Sequence, residues 1–324
     1  MRQTGSVHAP ARSTGLGYLL GATAAALWAL NGSLARFLLD DGVSALRLAQ
    51  LRSLLSWVIL VAVVAAARPS LLKVRRADVP QLVFLGIAGL AAVHATYFLA
   101  IGRLQIGAAL TIQYLGPLLI LVWLRVVHGR HLRRGLWGAA ALSVAGSFLV
   151  VRAYDVRSLD ALGVAAAIAA AITFAIYLVA SERAGRRHHP VTTLAWGFGF
   201  ASLFWAVAQP PWWFPFDRFG SLANVLLALG VAVIGTLLPF LCMVAAVRHI
   251  PAPRAAVIAT LEPVLAAVIA YFVHGETLAA AQITGGVVVV AAIIWVQLQR
   301  VSVASESAPE FRSKVEKSPV ALNA

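Results

Sequence analysis

The chain has 324 residues, of which 61% are hydrophobic and 12% charged, and its formal net charge is +14. Soluble globular proteins carry about 45–50% apolar and about 25% charged residues, so this composition excludes a set of ordinary soluble domains. The single cysteine, Cys242, excludes an intrachain disulfide and a cysteine-based zinc or iron–sulfur site.

Ten segments are long and apolar enough to be membrane-spanning helices, which need about 20 mostly apolar residues. The first follows Arg2 and Arg12, as a signal peptide would. It is longer than the apolar region of a typical signal peptide, about 7–15 residues, and it has no convincing cleavage site. Residues 300–324 are polar and charged, and we predict that they are disordered. The ten predicted spans are Gly17–Leu39, Ala45–Ala67, Pro80–Gly102, Ile106–Val127, Leu136–Val151, Ala161–Glu182, Val191–Ala208, Ser221–Val247, Ala252–His274 and Ala279–Gln299.

Basic residues concentrate in alternate connections between these spans. If the N-terminal segment, residues 1–15, is cytoplasmic, the segments outside the cell contain only Arg103, Arg152, Arg157 and Arg218. This distribution follows the positive-inside rule. The net charge is therefore topological, and we expect no nucleic-acid partner. We predict a multi-pass protein of the cell (inner or plasma) membrane with both termini cytoplasmic. The inside segments contain Arg2, Arg12, Arg68, Lys73, Arg75, Arg76, Arg125, Arg130, Arg133, Arg134, Arg183, Arg186, Arg187, Arg248, Arg254, Arg300, Arg312, Lys314 and Lys317.

The sequence repeats itself with an offset of 146 residues. The segments LGPLLILVWLRVVHG and LEPVLAAVIAYFVHG align Pro117 with Pro263. Several pairs in four separate places share the offset without a gap, which chance rarely produces in a Val-rich chain. The other pairs are Leu16 and Leu162, Gly17 and Gly163, Gly89 and Gly235, His128 and His274, and Gly129 and Gly275.

Each half of this repeat contains five predicted helices, at residues 16–152 and 161–299. Because five is odd, the second half must enter the membrane the opposite way up. We therefore predict an all-α polytopic membrane protein whose ten transmembrane helices form two inverted five-helix repeats. Such repeats are typical of secondary transporters, with the substrate site near the midplane where the repeats meet. A duplicated scaffold without transport activity is the alternative.

Four segments carry a family resemblance: AALTIQYLGPLLILVWLRVVHG, AAVIATLEPVLAAVIAYFVHGETL, ALWALNG and LRLAQLRSLLSW. Together they resemble the EamA-type transporters of the drug/metabolite transporter superfamily over about residues 16–299. Arg130 stands where the family usually has Glu, and Gly116 stands where the second half has Glu262. Roles are therefore not assigned symmetrically to the two halves. The resemblance implies efflux of amino acids, metabolites or drugs, often proton-driven. QYLGP is similar to threonine/homoserine exporters of the superfamily but leaves the substrate open.

Glu262 is the clearest candidate for a functional residue. It lies about ten residues into the ninth helix, which corresponds to about 15 Å of depth in a core about 30 Å thick. A charge there costs at least about 2.5–3.5 kcal/mol on insertion scales, so such residues tend to be functional. Pro263 breaks the helix beside it and frees polar backbone, and we predict the same kind of break at Pro117 in the fourth helix. We predict that Glu262 carries a proton or binds an amine; a structural pair with Arg52 or His94 is the alternative.

Other polar and aromatic residues lie within the spans and are further candidates. Arg52 can hold a substrate carboxylate or a helix end. His94 can join a proton path or hydrogen-bond a neighbouring helix. The remaining candidates contact substrate or merely pack between helices. They are Gln113 and Tyr114, close before Pro117, and Asn31, Trp28, Tyr97 and Tyr177 in other spans.

No motif for a cofactor, a nucleotide or a catalytic nucleophile occurs in the sequence. Histidines 128, 131, 188 and 189 lie in arginine-rich loops without accompanying cysteines or carboxylates, so we expect solvated positions and no metal site. We predict a transporter of a small-molecule substrate in the lipid bilayer, without cofactors, and not an enzyme. A lipid-modifying membrane enzyme and a non-transporting partner are the alternatives. The sequence leaves a homodimer open.

Overall fold

The computed structural model describes residues 13–104, 106–155, 160–274 and 277–298. In these ranges the chain forms helices joined by short connections and contains no strand. The predicted tail 300–324 and most of the N-terminal segment lie outside the described residues. The helical elements are α1 Thr14–Asp40, α2 Ala45–Ala67, α3 Val79–Phe84 with Leu85–Ala91 and Ala92–Ile101, α4 Ile106–Gln113 with Gly116–Val126, α5 Arg134–Val150, α6 Ala161–Gly185, α7 Pro190–Ala208, α8 Leu222–Ala232 with Val233–Leu237 and Leu238–His249, α9 Ala252–Ala259 with Leu261–His274, and α10 Ala280–Leu298.

The predicted spans all occur as helices, with ends that differ by at most a few residues. Nine helices in the described ranges are long and apolar enough to cross a membrane. The helix α5 is also apolar but has only 17 residues. The predicted class, a helical multi-pass membrane protein, is confirmed, whereas a total of ten crossings stays a prediction.

Equivalent helices of the two halves run antiparallel. Near the start of α5, Gly138 faces Trp295 near the end of α10. At the other end, Gln282 Nε2 donates to the Val150 carbonyl at 3.1 Å. The helices α2 and α7 behave in the same way, because Gln50 Nε2, near the start of α2, donates to the Gln209 carbonyl, just past α7, at 2.6 Å. Opposite directions in equivalent helices are what an inverted repeat requires.

The packing between the halves also follows the 146-residue offset. A Cβ on Gly17 of α1 would lie 2.8 Å from Ile250, which directly follows α8. In the same way, a Cβ on Gly163 of α6 would lie 2.7 Å from Leu104, close after α3. Both members of one contact are offset by 146 residues from the members of the other. The α1–α8 contact therefore repeats as α6–α3, and each crossing depends on a glycine that lets the neighbour approach.

Four helices are interrupted, again in equivalent pairs. The segments Leu85–Ala91 of α3 and Val233–Leu237 of α8 are π-helical. The predicted spans 106–127 and 252–274, in which Pro117 and Pro263 are the predicted helix breaks, are each two helical segments, because the first segment ends at Gln113 in α4 and at Ala259 in α9. Proline has no N–H and clashes with the carbonyl four residues back. For Pro117 and Pro263, those carbonyls belong to Gln113 and Ala259, where the first segments end.

Candidate functional site

Glu262 lies directly beyond the interruption of α9. It is in the first turn of Leu261–His274, where unpaired backbone N–H groups favour a negative charge. Its side chain is partly buried. The carboxylate is close enough to interact electrostatically with Arg52 of α2, Tyr97 of α3 and Tyr114 of α4. Glu262 therefore faces helices of the other half, in the interior of the bundle.

Arg52 is held by the π-helical segment of α8. Its Nε donates to Thr236 Oγ1 at 2.8 Å and its Nη2 donates to the Gly235 carbonyl at 3.0 Å. Thr236 in turn donates to the Val231 carbonyl at 2.8 Å. Arg52 and Glu262 interact electrostatically but form no direct salt bridge in the described part of the chain. The guanidinium of Arg52 is thus oriented by α8, and its charge is not neutralised by direct contact with the carboxylate of Glu262.

An aromatic cluster lies where the two halves meet. Trp28 contacts Phe174 and Phe240 with ring centroids 6.4 and 5.4 Å apart. His94 and Tyr177 pack on the same Phe240, at 5.5 and 5.2 Å. The repeat offset aligns Trp28 with Phe174 and His94 with Phe240. Three predicted residues therefore pack on Phe240, and Trp28 also contacts Phe174. The search for polar residues did not identify these two phenylalanines, although the repeat register aligns both with predicted residues.

Several buried polar atoms of the predicted residues have no hydrogen-bond partner among the described residues. Buried polar groups are nearly always hydrogen-bonded, so such a concentration marks a place that a polar ligand can satisfy. These atoms are Asn31 Oδ1, His94 Nδ1 and Gln113 Oε1, whereas the hydroxyls of Tyr114 and Tyr177 interact with Glu262 and Ser181, respectively.

The predicted residues thus come together in two linked groups. Arg52, Tyr97, Tyr114 and Glu262 interact through their charges and hydroxyls. His94 joins them to the aromatic cluster, because it lies within electrostatic range of Arg52. Asn31 packs against Gly235, the acceptor of Arg52, and Gln113 precedes Tyr114 at the end of its helical segment. Sequence reasoning missed Thr236, for which hydropathy gives no signal. The part of each residue in transport stays a prediction.

One loop histidine differs from its expected solvated position. The side chain of His188 is only 10% exposed and its Nε2 lies 3.8 Å from Asp78 Oδ2. Arg187 Nη1 approaches the other carboxylate oxygen of Asp78 at 3.3 Å. Asp78, at the start of α3, is 109 residues from Arg187 along the chain. The sequence alone therefore did not indicate that it contacts this loop. Within the described ranges, no cluster of three or more metal-ligating side chains occurs.

The profile of the EamA-like transporter family matches residues 15–152 and again residues 161–298. The chain belongs to the EamA-like transporter family. The two matches agree with the repeat read from the sequence and with the antiparallel halves of the structure. The fold class of two inverted repeats and the predicted family are therefore confirmed, and this EamA-like protein is a multi-pass membrane transporter.

Several proteins are similar to this EamA-like transporter over most of their length. An uncharacterized transporter of Archaeoglobus fulgidus is 28% identical over 202 residues, covering 62% of this chain and 70% of that protein. The threonine/homoserine exporter RhtA of Salmonella typhimurium strain LT2 is 29% identical over 252 residues, covering 78% and 79%. The uncharacterized inner membrane transporter YicL of the same strain is 25% identical over 293 residues, covering 88% and 96%.

A solved crystal structure shares the fold. It superposes with a TM-score of 0.73 at 21% sequence identity, and the match covers 88% of this chain and 98% of the other. At this identity the similarity concerns the fold alone.

Proposed function

We propose that this EamA-like transporter is a secondary active exporter of amino acids or closely related small metabolites. Two observations support export of this substrate class: a relative over most of the chain is named a threonine/homoserine exporter, and the interior holds opposite charges. The arginine-rich connections support a cell-membrane location with both termini in the cytoplasm.

The arrangement of Arg52 and Glu262 is the observation on which the substrate class rests. An amino acid carries a carboxylate and an ammonium group a few bonds apart. The planar guanidinium of Arg52 suits a carboxylate, and it is oriented in advance by Thr236 and Gly235. Glu262 supplies the opposite charge across the same region. Because the two side chains make no direct salt bridge, each can engage one end of a zwitterion.

Proton coupling is the second part of the proposal and rests on Glu262. A carboxylate inside a membrane protein is costly while its site is closed, and a proton or an ammonium group removes that cost. Exchange of these two neutralising groups at one carboxylate would link substrate release to proton entry. The helical segment that begins at Leu261 places unpaired backbone N–H groups beside this carboxylate.

Counterflow in proteoliposomes tests the proposed function. Purified protein is reconstituted into liposomes preloaded with unlabelled threonine, homoserine or another amino acid, and entry of the same labelled compound is followed. A carrier gives saturable, transient accumulation that requires the internal load. Entry without saturation or counterflow would identify a channel. Chemical conversion of the compound would identify an enzyme, and entry no faster than in empty liposomes for every compound would favour a non-transporting partner.

A further inference from the structure

A cavity of about 320 Å³ opens at the arginine-rich end of the bundle, between α4, α5, α6 and α9. We call it the arginine cavity. Glu182 is the acidic member of its described lining, and this carboxylate is already engaged. It accepts from Arg186 Nη2 at 2.8 Å and from the Ala252 N–H at 2.9 Å. The cavity is therefore strongly positive, with arginines at positions 130, 133, 183, 186 and 254.

The arginine cavity is part of the packed protein and not only a group of loop side chains. Arg254 is 6% exposed and its Nη1 donates to Tyr18 OH at 3.3 Å. Arg183 lies over the ring of Trp123, with the guanidinium carbon 5.3 Å from the ring centroid. The Trp123 ring also packs on His128 at 4.2 Å. Stacked and buried arginines are held in place before any anion arrives.

An apolar groove of about 380 Å³ adjoins the arginine cavity, between α3, α4 and α6. The two spaces share four lining residues, which form their common wall: Ile120, Trp123, Val179 and Arg183. Two further lining residues, Phe84 and Ile172, are 52% and 46% exposed. In a membrane protein such exposed apolar side chains face lipid. The groove thus runs from the hydrocarbon region to a positively charged cavity.

We propose that the arginine cavity and the apolar groove together bind one anionic phospholipid from the adjacent leaflet. The phosphate and headgroup contact the arginines, and an acyl chain lies in the groove. The positive-inside rule accounts for arginines in loops. It does not account for arginines that line a cavity continuous with an apolar groove. Basic cavities between transmembrane helices bind anionic headgroups through charge complementarity. A soluble anion has no acyl chain, so it would leave the apolar groove unoccupied.

Lipid binding to the purified full-length protein tests this proposal, with native mass spectrometry as the measurement. Dioleoyl phosphatidylglycerol is compared with dioleoyl phosphatidylcholine, which has the same chains and no net charge. We expect a preference for the anionic lipid on the order of tenfold, since basic residues near a membrane surface attract anionic headgroups. The double variant Arg130→Gln/Arg183→Gln should abolish it. Arg76→Gln/Arg125→Gln, which changes the same charge at exposed residues outside the cavity, should retain it.

A second pair of variants tests the acyl-chain part of the site. Ile176→Trp fills the groove and should weaken phosphatidylglycerol binding several-fold, while Ile168→Trp, on the lipid-exposed surface of the same helix but outside the groove, should not. Equal binding of the two lipids, or equal losses in both arginine double variants, would overturn the proposal. Displacement of the lipid by inorganic phosphate together with no effect of Ile176→Trp would instead identify a soluble-anion site. Transport is not measured, so these outcomes are independent of the proposed export.

Discussion

The side chain of Asn31 in α1 occupies the space where a Cβ on Gly235 of α8 would stand. Gly235 also accepts a hydrogen bond from Arg52 through its carbonyl oxygen. In the other half, Tyr177 takes the place of Asn31, and a Cβ on Gly89 would lie 3.3 Å from its backbone. The same close crossing of a first and a third helix therefore occurs twice, and one copy supports the arginine of the candidate site.

Gly235→Ala should destabilise the protein, because the new methyl group overlaps the side chain of Asn31. Overpacking of this kind costs about 1–3 kcal/mol. Thermal unfolding in detergent measures the effect. Gly32→Ala is the matched control, since no atom lies within 4 Å of a Cβ there and alanine favours a helix. Combining Gly235→Ala with Asn31→Ala should recover part of the loss. Equal unfolding temperatures for Gly235→Ala and Gly32→Ala would contradict the tight crossing.

Thr236→Val should weaken both stability and substrate binding, because Arg52 loses the acceptor of its Nε donor. Leaving a buried charged donor unsatisfied costs about 1–3 kcal/mol or more. Unfolding temperature and the KM for counterflow are the two measurements. Thr284→Val provides the control, because the hydroxyl of Thr284 is exposed and bonds only to the Ala280 carbonyl of its own helix. An unchanged KM with reduced stability would leave Arg52 a structural residue.

Glu262→Gln should fold and insert normally yet lose proton-driven accumulation, because glutamine keeps the shape but cannot titrate. Accumulation against a gradient and exchange without net proton movement are measured in the same proteoliposomes. Surviving exchange would assign Glu262 to coupling, and lost exchange would assign it to substrate binding. Asp217→Asn, at an exposed carboxylate in the α7–α8 connection, should change neither. A wild-type pH dependence in Glu262→Gln would refute the coupling role.

Single cysteines should reveal the orientation of the bundle. After replacement of Cys242, Ala77→Cys in the connection before α3 should be protected from an impermeant thiol reagent in intact cells. Asp217→Cys should be labelled, and both should react in permeabilised cells. Both residues are exposed, so access to the reagent depends on the side of the membrane. The reverse pattern would invert the proposed topology, and equal labelling in intact cells would contradict the number of crossings between them.

The sequence predicts helix breaks at Pro117 and Pro263, and the structure ends the first segments at Gln113 and Ala259. A proline disturbs the carbonyl four residues back, so the end of each segment lies four residues before the proline. The π-helical segments of α3 and α8, in contrast, leave no compositional trace, since one extra residue in a turn does not alter the mean hydropathy.

By itself the sequence determined the helical class, the positions of the spans, the repeat and the family. A span needs a length of apolar residues that can be counted along the chain, and the repeat is a constant offset that identities such as Gly17 and Gly163 expose. Only the tertiary structure decided that Arg52 is held by Gly235 and Thr236 of α8 and faces Glu262 without a salt bridge. Arg52 is 183 residues from Gly235 and 184 from Thr236 along the chain, and their meeting depends on close helix crossings at glycines. Hydropathy measures the free energy of transferring a side chain from water to lipid, so it carries almost no information on which helices pack against one another.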